Sequence, residues 1–411
     1  MLILFLRSPQ RLTEAQFWAE DANIFFRSAF ELDFLSSVFK PHEGYLQLIP
    51  RVISELALVG GNYQFTPFVM NFVSMLVAAV ILAIFSTKLY HPLIASSWLR
   101  YLLPLVIAAG GAHHEIIGNV TNLQWYIVIV GLHLCALVYY YPGLQLKWPL
   151  ALLSALLICI FVISSPQILI FFPILLLLLI KKKLSHSNYL LIFGFVLGVV
   201  IQVLVYLSFR GPAQATIQDL LSKQYLLGLV QVSFIKFFVQ SFIPYPAADY
   251  FYKNNLAGLL TGSFAIVATF YLLMLRKRRE LLVILGWVVL FSTILLYIGR
   301  SGVFAPTLSS ASQDISYIHV GRYFFVGYVV IILSSFYVVS SILEQKRLQK
   351  HYLAIILFIH IIALASFFNT KLIYVNYNWT ETAARLRTMQ TGGMLTFSSD
   401  PVGWQTTVVK P

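Results

Sequence analysis

The run TPFVMNFVSMLVAAVILAIFS, Thr66 to Ser86, carries no charged side chain in 21 residues. A helix needs about 20 apolar residues to cross the hydrocarbon of a bilayer, so this stretch predicts a membrane span. Comparable runs, bounded by charged or Gly/Pro clusters, fall near residues 101–112, 125–141, 149–163, 167–180, 189–209, 256–275, 281–299, 323–343 and 352–368. The composition agrees: 59% of residues are hydrophobic and only 10% charged, against about a quarter charged in soluble domains, and the mean hydropathy is +0.82. None of the runs shows the in–out alternation of a membrane barrel strand. The expected fold is all-α, a polytopic transmembrane helical bundle of about 10–11 spans. Met1 to Leu6 is an apolar stub ahead of Arg7, too short to cross and lacking the charged start and cleavage site of a signal peptide; the first span reads as truncated. Residues 1–368 form the expected membrane domain and 369–411 a short tail.

Loop charge sets the orientation. If segments 87–100, 142–148, 181–188, 276–280 and 344–351 are cytoplasmic, they carry 13 Lys and Arg against Glu280 and Glu344 alone, as the positive-inside rule requires. The other 13 of the 15 acids then lie on the outer side or its interface. The net charge of +13 follows from topology and anionic lipid and calls for no nucleic acid. Cys135 and Cys159 both fall in expected spans, so no disulfide framework or CxxC pair is indicated. No fixed-period repeat or matched pair of broken helices points to an inverted-repeat transporter. Long outer loops and short inner ones place function outside.

The first outer segment is the richest. From Thr13 to Leu32, Trp18, Ala22, Phe25 and Ala29, with Phe26 and Phe30 beside them, follow helical spacing, while Glu20, Asn23, Arg27 and Glu31 share the opposite face. This predicts an amphipathic helix lying along the membrane surface. Asp21 falls at the edge of the apolar stripe, where partial desolvation raises a carboxyl's pKa toward that of a useful base. The plainer alternative, that Glu20 and Asp21 are solvated acids on an interfacial helix, stays open, since perturbed carboxylates mark sites only statistically.

Further outer groups follow. Lys40-Pro41-His42-Glu43-Gly44-Tyr45-Leu46-Gln47-Leu48-Ile49-Pro50-Arg51 begins a second helix that ends near Gly60-Gly61. His113-His114-Glu115 precedes Asn119-Val120-Thr121-Asn122-Leu123-Gln124-Trp125; adjacent histidines point different ways and zinc ligands are usually spaced further apart, so a metal is not expected. Asn119-Val-Thr and Asn378-Trp-Thr match the glycosylation sequon by chance. Ser164-Ser165-Pro166-Gln167 forms a tight turn between two spans, and Gly321-Arg322-Tyr323 opens another. Arg322 snorkels to headgroups or binds phosphate through its planar fork; the sequence leaves both open, as it does for Arg210, Lys223, Lys253 and Arg300.

Taken together, the acidic pair near the first span, Gly44 to Arg51, the Asn119–Trp125 stretch, the Ser-Ser-Pro turn and Arg322-Tyr323 resemble the GT-C superfamily of integral-membrane glycosyltransferases, especially its uncharacterised bacterial members. The acid in the first outer loop is the general hallmark; the short first span and short tail depart from the pattern. The resemblance implies a bacterial cytoplasmic-membrane enzyme, active on the extracytoplasmic side, that moves a sugar from a polyprenyl-phosphate donor to a lipid or glycan acceptor with inversion and without a cofactor. It implies that Asp21, with Glu20 as neighbouring candidate, deprotonates the acceptor hydroxyl. Arg322, then Arg51, Lys40 and His42, would hold the donor phosphate. Tyr45, Asn122, Gln124, Trp125, His114, Glu115, Gln167 and Tyr323 would line the sugar and acceptor site, although aromatic residues at this depth also anchor helices at the interface. A flippase for lipid-linked sugars needs polar groups at midplane, where the spans offer His133, Gln202 and scattered Ser or Thr; a glycan polymerase or ligase needs basic groups in a large outer loop. The tail, with Trp379, Arg385, Arg387, Gly392, Gly393, Gly403 and Trp404, is too short for its own core and is expected to pack on the first outer segment.

Overall fold

The structure, a computed structural model, describes residues 1–42, 44–110, 114–209, 279–299, 322, 324–344 and 375–411. These are mostly helical, in 14 helices with a small two-stranded sheet. The helices are α1 (Leu2–Arg7), α2 (Gln10–Thr13), α3 (Arg27–Glu31), α4 (Phe34–Val38), α5 (Leu48–Leu58), α6 (Thr66–Ala83), α7 (Ser97–Gly110), α8 (Leu123–Tyr140), α9 (Trp148–Ser164), α10 (Phe172–Lys181), α11 (His186–Ser208), α12 (Arg279–Gly299), α13 (Phe325–Glu344) and α14 (Trp379–Thr388). A π-helical stretch, Asp21–Phe26, leads into α3.

Among the described residues three helical segments are long and apolar enough to cross a membrane: Tyr63–Ser86, Leu123–Tyr140 and His186–Ser208. They coincide with the runs read near 66–86, 125–141 and 189–209. The runs near 149–163 and 167–180 form Trp148–Ser164 and Pro166–Lys181, bent by 114°. That bend is a broken span or re-entrant loop, not the tight reversal expected at Ser164–Gln167; Pro166, which lacks an N–H, starts the new direction. The runs near 101–112 and 323–343 appear as shorter apolar helices, Ser97–Gly110 and Phe325–Ser341, and the run near 281–299 as α12. Those near 256–275 and 352–368 lie outside the described residues. The apolar stub at Met1–Leu6 is the six-residue α1.

The chain divides into two compact units. The first comprises residues 1–81, 116–211 and 372–411. Within it α9 and α11 pack at very close range: a Cβ on Gly194 would fall into the Ala155 carbonyl, and one on Gly198 into Val162. Close backbone approach through small residues is how apolar helices associate when lipid is as apolar as the side chains. Gln202 of α11 closes this region, its Nε2 donating to Ile163 O (2.6 Å) and Leu46 O (3.1 Å) and its Oε1 accepting from Leu46 N (3.1 Å). The second unit, residues 82–115 and 212–371, pairs α13 with α7, where Tyr328 Oη donates to Val106 O at 3.4 Å.

Two expectations change. The tail is not helical throughout: after α14 it folds as antiparallel strands β1 (Met394–Ser399) and β2 (Trp404–Val409), with Thr396 opposite Thr407. The β-branched run Thr406-Thr407-Val408-Val409 and the Pro401-Val402-Gly403 turn favour that ribbon. The segment Thr13–Leu32 also differs from a bare surface helix. Its aromatic face is covered by the tail: Phe17 and Phe26 each pack edge-on against Trp379 at 4.6 and 5.7 Å, and Phe397 completes the cluster. The opposite face follows the reading, with Arg27 bonded to Glu31 at 3.1 Å.

Candidate functional site

Asp21 begins the π-helical stretch and is fully buried, at 0% exposure. A helical wheel at 100° per residue puts its carboxylate on a boundary; the wider π turn breaks that register and points it inward. Ala19, two residues earlier, has φ +30, a conformation strained for any residue with a Cβ. Strained backbone and π turns are both frequent at functional sites.

The carboxylate meets the loop before α8. Oδ1 accepts from Thr121 N (2.8 Å) and Thr121 Oγ1 (2.5 Å), and Oδ2 from Val120 N (3.3 Å). Gly118 takes φ +65, where an added Cβ would run into Met75 and press on Arg11. Asn119 Oδ1 accepts from Asn122 N at 2.8 Å, holding the turn that presents both amides. Burial pushes the Asp21 carboxyl up to about 7, against the Thr121 hydrogen bonds and the Arg11 charge, with Glu20 adding slightly to the rise. A carboxyl raised that far gains and loses its proton near neutral pH.

Two further charged groups surround it. Arg11, 1% exposed, lies over the Trp18 ring at 4.4 Å and acts electrostatically on both Asp21 and Asp400. Its segment is pinned by Asn71 of α6, whose Nδ2 donates to Arg11 O (2.8 Å) and Gln16 O (3.2 Å). Asp400, 2% exposed, sits at the end of β1 and clamps Trp18 from both sides: its N donates to Phe17 O at 3.1 Å and its O accepts from Ala19 N. Burial raises its carboxyl's pKa, opposed by Arg11 and the Val375 amide. Sequence reasoning passed over all three of Arg11, Thr121 and Asp400. Thr121 lies inside a motif that was singled out, and Asp400 is one of few acids in the chain; Arg11 offered no signal.

The other expected site residues lie as follows. Glu20 is half-buried. Arg51 is buried, its Nη1 donating to Ser37 O at 3.0 Å and its guanidinium 5.6 Å from the Phe25 ring; burial lowers its pKa to about 10, with Glu55 opposing, so it stays charged. Lys40 is exposed. His42 and Tyr45 pair through their backbones (2.9 and 3.1 Å) around Gly44, and Tyr45 Oη accepts from Gln47. Asn122 caps α8, and Trp125 is buried in its first turn. Gln124 and Gln167 are brought together: Gln167 Nε2 donates to Gln124 Oε1 at 3.1 Å, and Ser165 Oγ to Gln124 O at 3.0 Å. In the second unit Arg322 Nη1 donates to Glu115 Oε1 at 2.8 Å. His114 begins a 3-10 turn through Ile116, and Tyr323 lies outside the described residues.

What the described residues define is a mostly helical fold, with three helical segments long and apolar enough to cross a membrane, and a buried carboxylate that burial raises to about 7. No protein-family model, curated protein or solved structure matches the chain.

Proposed function

We propose that this chain is a polytopic membrane glycosyltransferase whose general base is Asp21. The observation that carries the reading is the Asp21 carboxylate itself: buried, held by Thr121, and raised to about 7. In the reaction, an acceptor hydroxyl gives its proton to Asp21 as its oxygen attacks the anomeric carbon of a polyprenyl-phosphate sugar. The C–O bond to phosphate breaks, the phosphate leaves with the electron pair, and Asp21 is left as the neutral acid. A carboxyl with a pKa near 7 is ionised enough to accept the proton and basic enough to want it. With Asp21 shut from solvent in this state, an acceptor reaches it only after local opening.

The test is transfer by the purified protein from polyprenyl-phosphate sugars. Asp21→Asn is expected to lose about two or more orders of magnitude in rate, while Glu20→Gln, half-exposed, keeps most of it. Full activity in Asp21→Asn would remove the assignment.

A further inference from the structure

An open cleft of about 370 Å³ lies in the first unit where the tail meets the start of the Tyr63–Ser86 segment. That volume is within the range of small-ligand pockets, roughly 300–1,000 Å³. Its lining is polar through Thr13, Glu14, Gln64, Asn376, Asn378 and Thr380 and aromatic through Phe65, Phe68 and Trp379.

Some lining groups are tied within the fold and others are exposed. Gln16 spends its whole amide on the tail, Nε2 to Val375 O (3.0 Å) and Oε1 from Tyr377 N (2.8 Å), and Trp379 Nε1 is fixed on Tyr63 O at 2.9 Å. Gln64 and Thr380, by contrast, are exposed, with donors and acceptors open to a ligand, and Phe65 is 55% exposed. Among the described lining residues Glu14 is the sole charge, and no Lys, Arg or His is present. Such a site lacks what a phosphate demands, a cation or a set of converging amides. Amides, hydroxyls and a carboxylate instead match adjacent sugar hydroxyls by donating and accepting together, while aromatic faces cover the apolar C–H surface of a pyranose.

We infer that this cleft binds a neutral glycan, either free in solution or as the headgroup of a glycolipid. As the seat of the acceptor it rests on the transferase reading; as a neutral-glycan site it does not. The position of Phe65 and Phe68 at the head of an apolar helix suits a sugar presented at a membrane surface.

The experiment is saturation-transfer NMR on the full chain, with glucose, cellobiose and N,N′-diacetylchitobiose in detergent, and with a glucosyl diacylglycerol in nanodiscs. Glucose 1-phosphate serves as the anionic counterpart. At least one neutral sugar is expected to bind, and Gln64→Ala, Phe65→Ala and Thr380→Val each to weaken it by about tenfold; tighter binding in the nanodisc arm assigns the lipid-borne source, tighter binding in detergent the free one. Absence of binding by every neutral probe, equal affinity in wild type and all three variants, or preference for the phosphate overturns the inference. Asp21→Asn is expected to leave this binding unchanged. Sugar binding without transfer would sink the transferase reading and leave the glycan site standing; transfer with no sugar binding and an unaltered acceptor KM in the three variants would do the reverse.

Discussion

Asp21 is proposed as the base on account of its surroundings, which change its acidity more than its own structure does. A free aspartate ionises near pH 3.9; burial moves this one to about 7. Because the folded-state value is raised above the unfolded one, proton-linked stability is fully present below about pH 4 and is lost as pH rises through about 7. Asp21→Asn, which cannot ionise, should therefore gain thermal stability relative to wild type as pH rises from about 4 to 7, then hold a constant difference; a Tm series across that range checks it. Transfer should follow the opposite trend, rising as the base ionises. Thr121 acts through Asp21: its hydroxyl and amide both lower the carboxyl's pKa. Thr121→Val keeps the amide and removes the hydroxyl bond, so the rate–pH profile should shift to higher pH while the plateau stays near wild type. A drop in rate without any shift would make Thr121 merely structural.

At the scale of elements, α9 and α11 meet through Gly194 and Gly198, four residues apart on one face, against Ala155 and Cys159. An alanine in an exposed helix stabilises it by about 1 kcal/mol over glycine. Here overpacking against a backbone carbonyl, about 1–3 kcal/mol or more, outweighs that gain. Gly194→Ala is expected to lower the Tm in detergent, whereas Gly286→Ala in α12, with nothing near its Cβ position, is expected to be neutral or stabilising. The GxxxG spacing was present in the sequence, and the helices themselves were legible there because apolar content over about 20 residues is a local property. The π turn at Asp21–Phe26 was not: a fixed 100° wheel assumes uniform winding, and the extra residue in the turn is selected by what the aromatic face packs on. Nor was the β1–β2 ribbon foreseen, although its β-branched Thr406 to Val409 and Pro-x-Gly turn are ordinary hairpin signals.

At the scale of the whole chain, its two ends meet. Residues 375–411 return to the segment 14–31, through Gln16, the Trp18–Asp400 bridge and the Val409 N bond to Glu31 Oε1 at 2.9 Å. The expected packing of the tail on the segment around Asp21 is what the structure holds. Trp379 is the centre of that contact, touching Phe17, Phe26 and Phe397. Truncating a buried Trp costs about 3–5 kcal/mol, so Trp379→Ala should lower the Tm by several degrees and, by loosening the Trp18–Asp400 clamp, weaken transfer as well. A variant lacking residues 376–411 that folds and transfers normally would show the clamp to be irrelevant.

Hydropathy alone determined that the chain is helical, apolar enough for membrane spans and poor in acids, because transfer free energy adds up along a local stretch whatever the rest of the chain does. Which of the acids are buried, Asp21, Glu115 and Asp400 among the described residues, was decided by tertiary contact. Asp21 takes its hydrogen bonds from a residue 100 positions away, and its acidity depends on water excluded by the surrounding fold, a quantity that exists only once distant segments have closed around it.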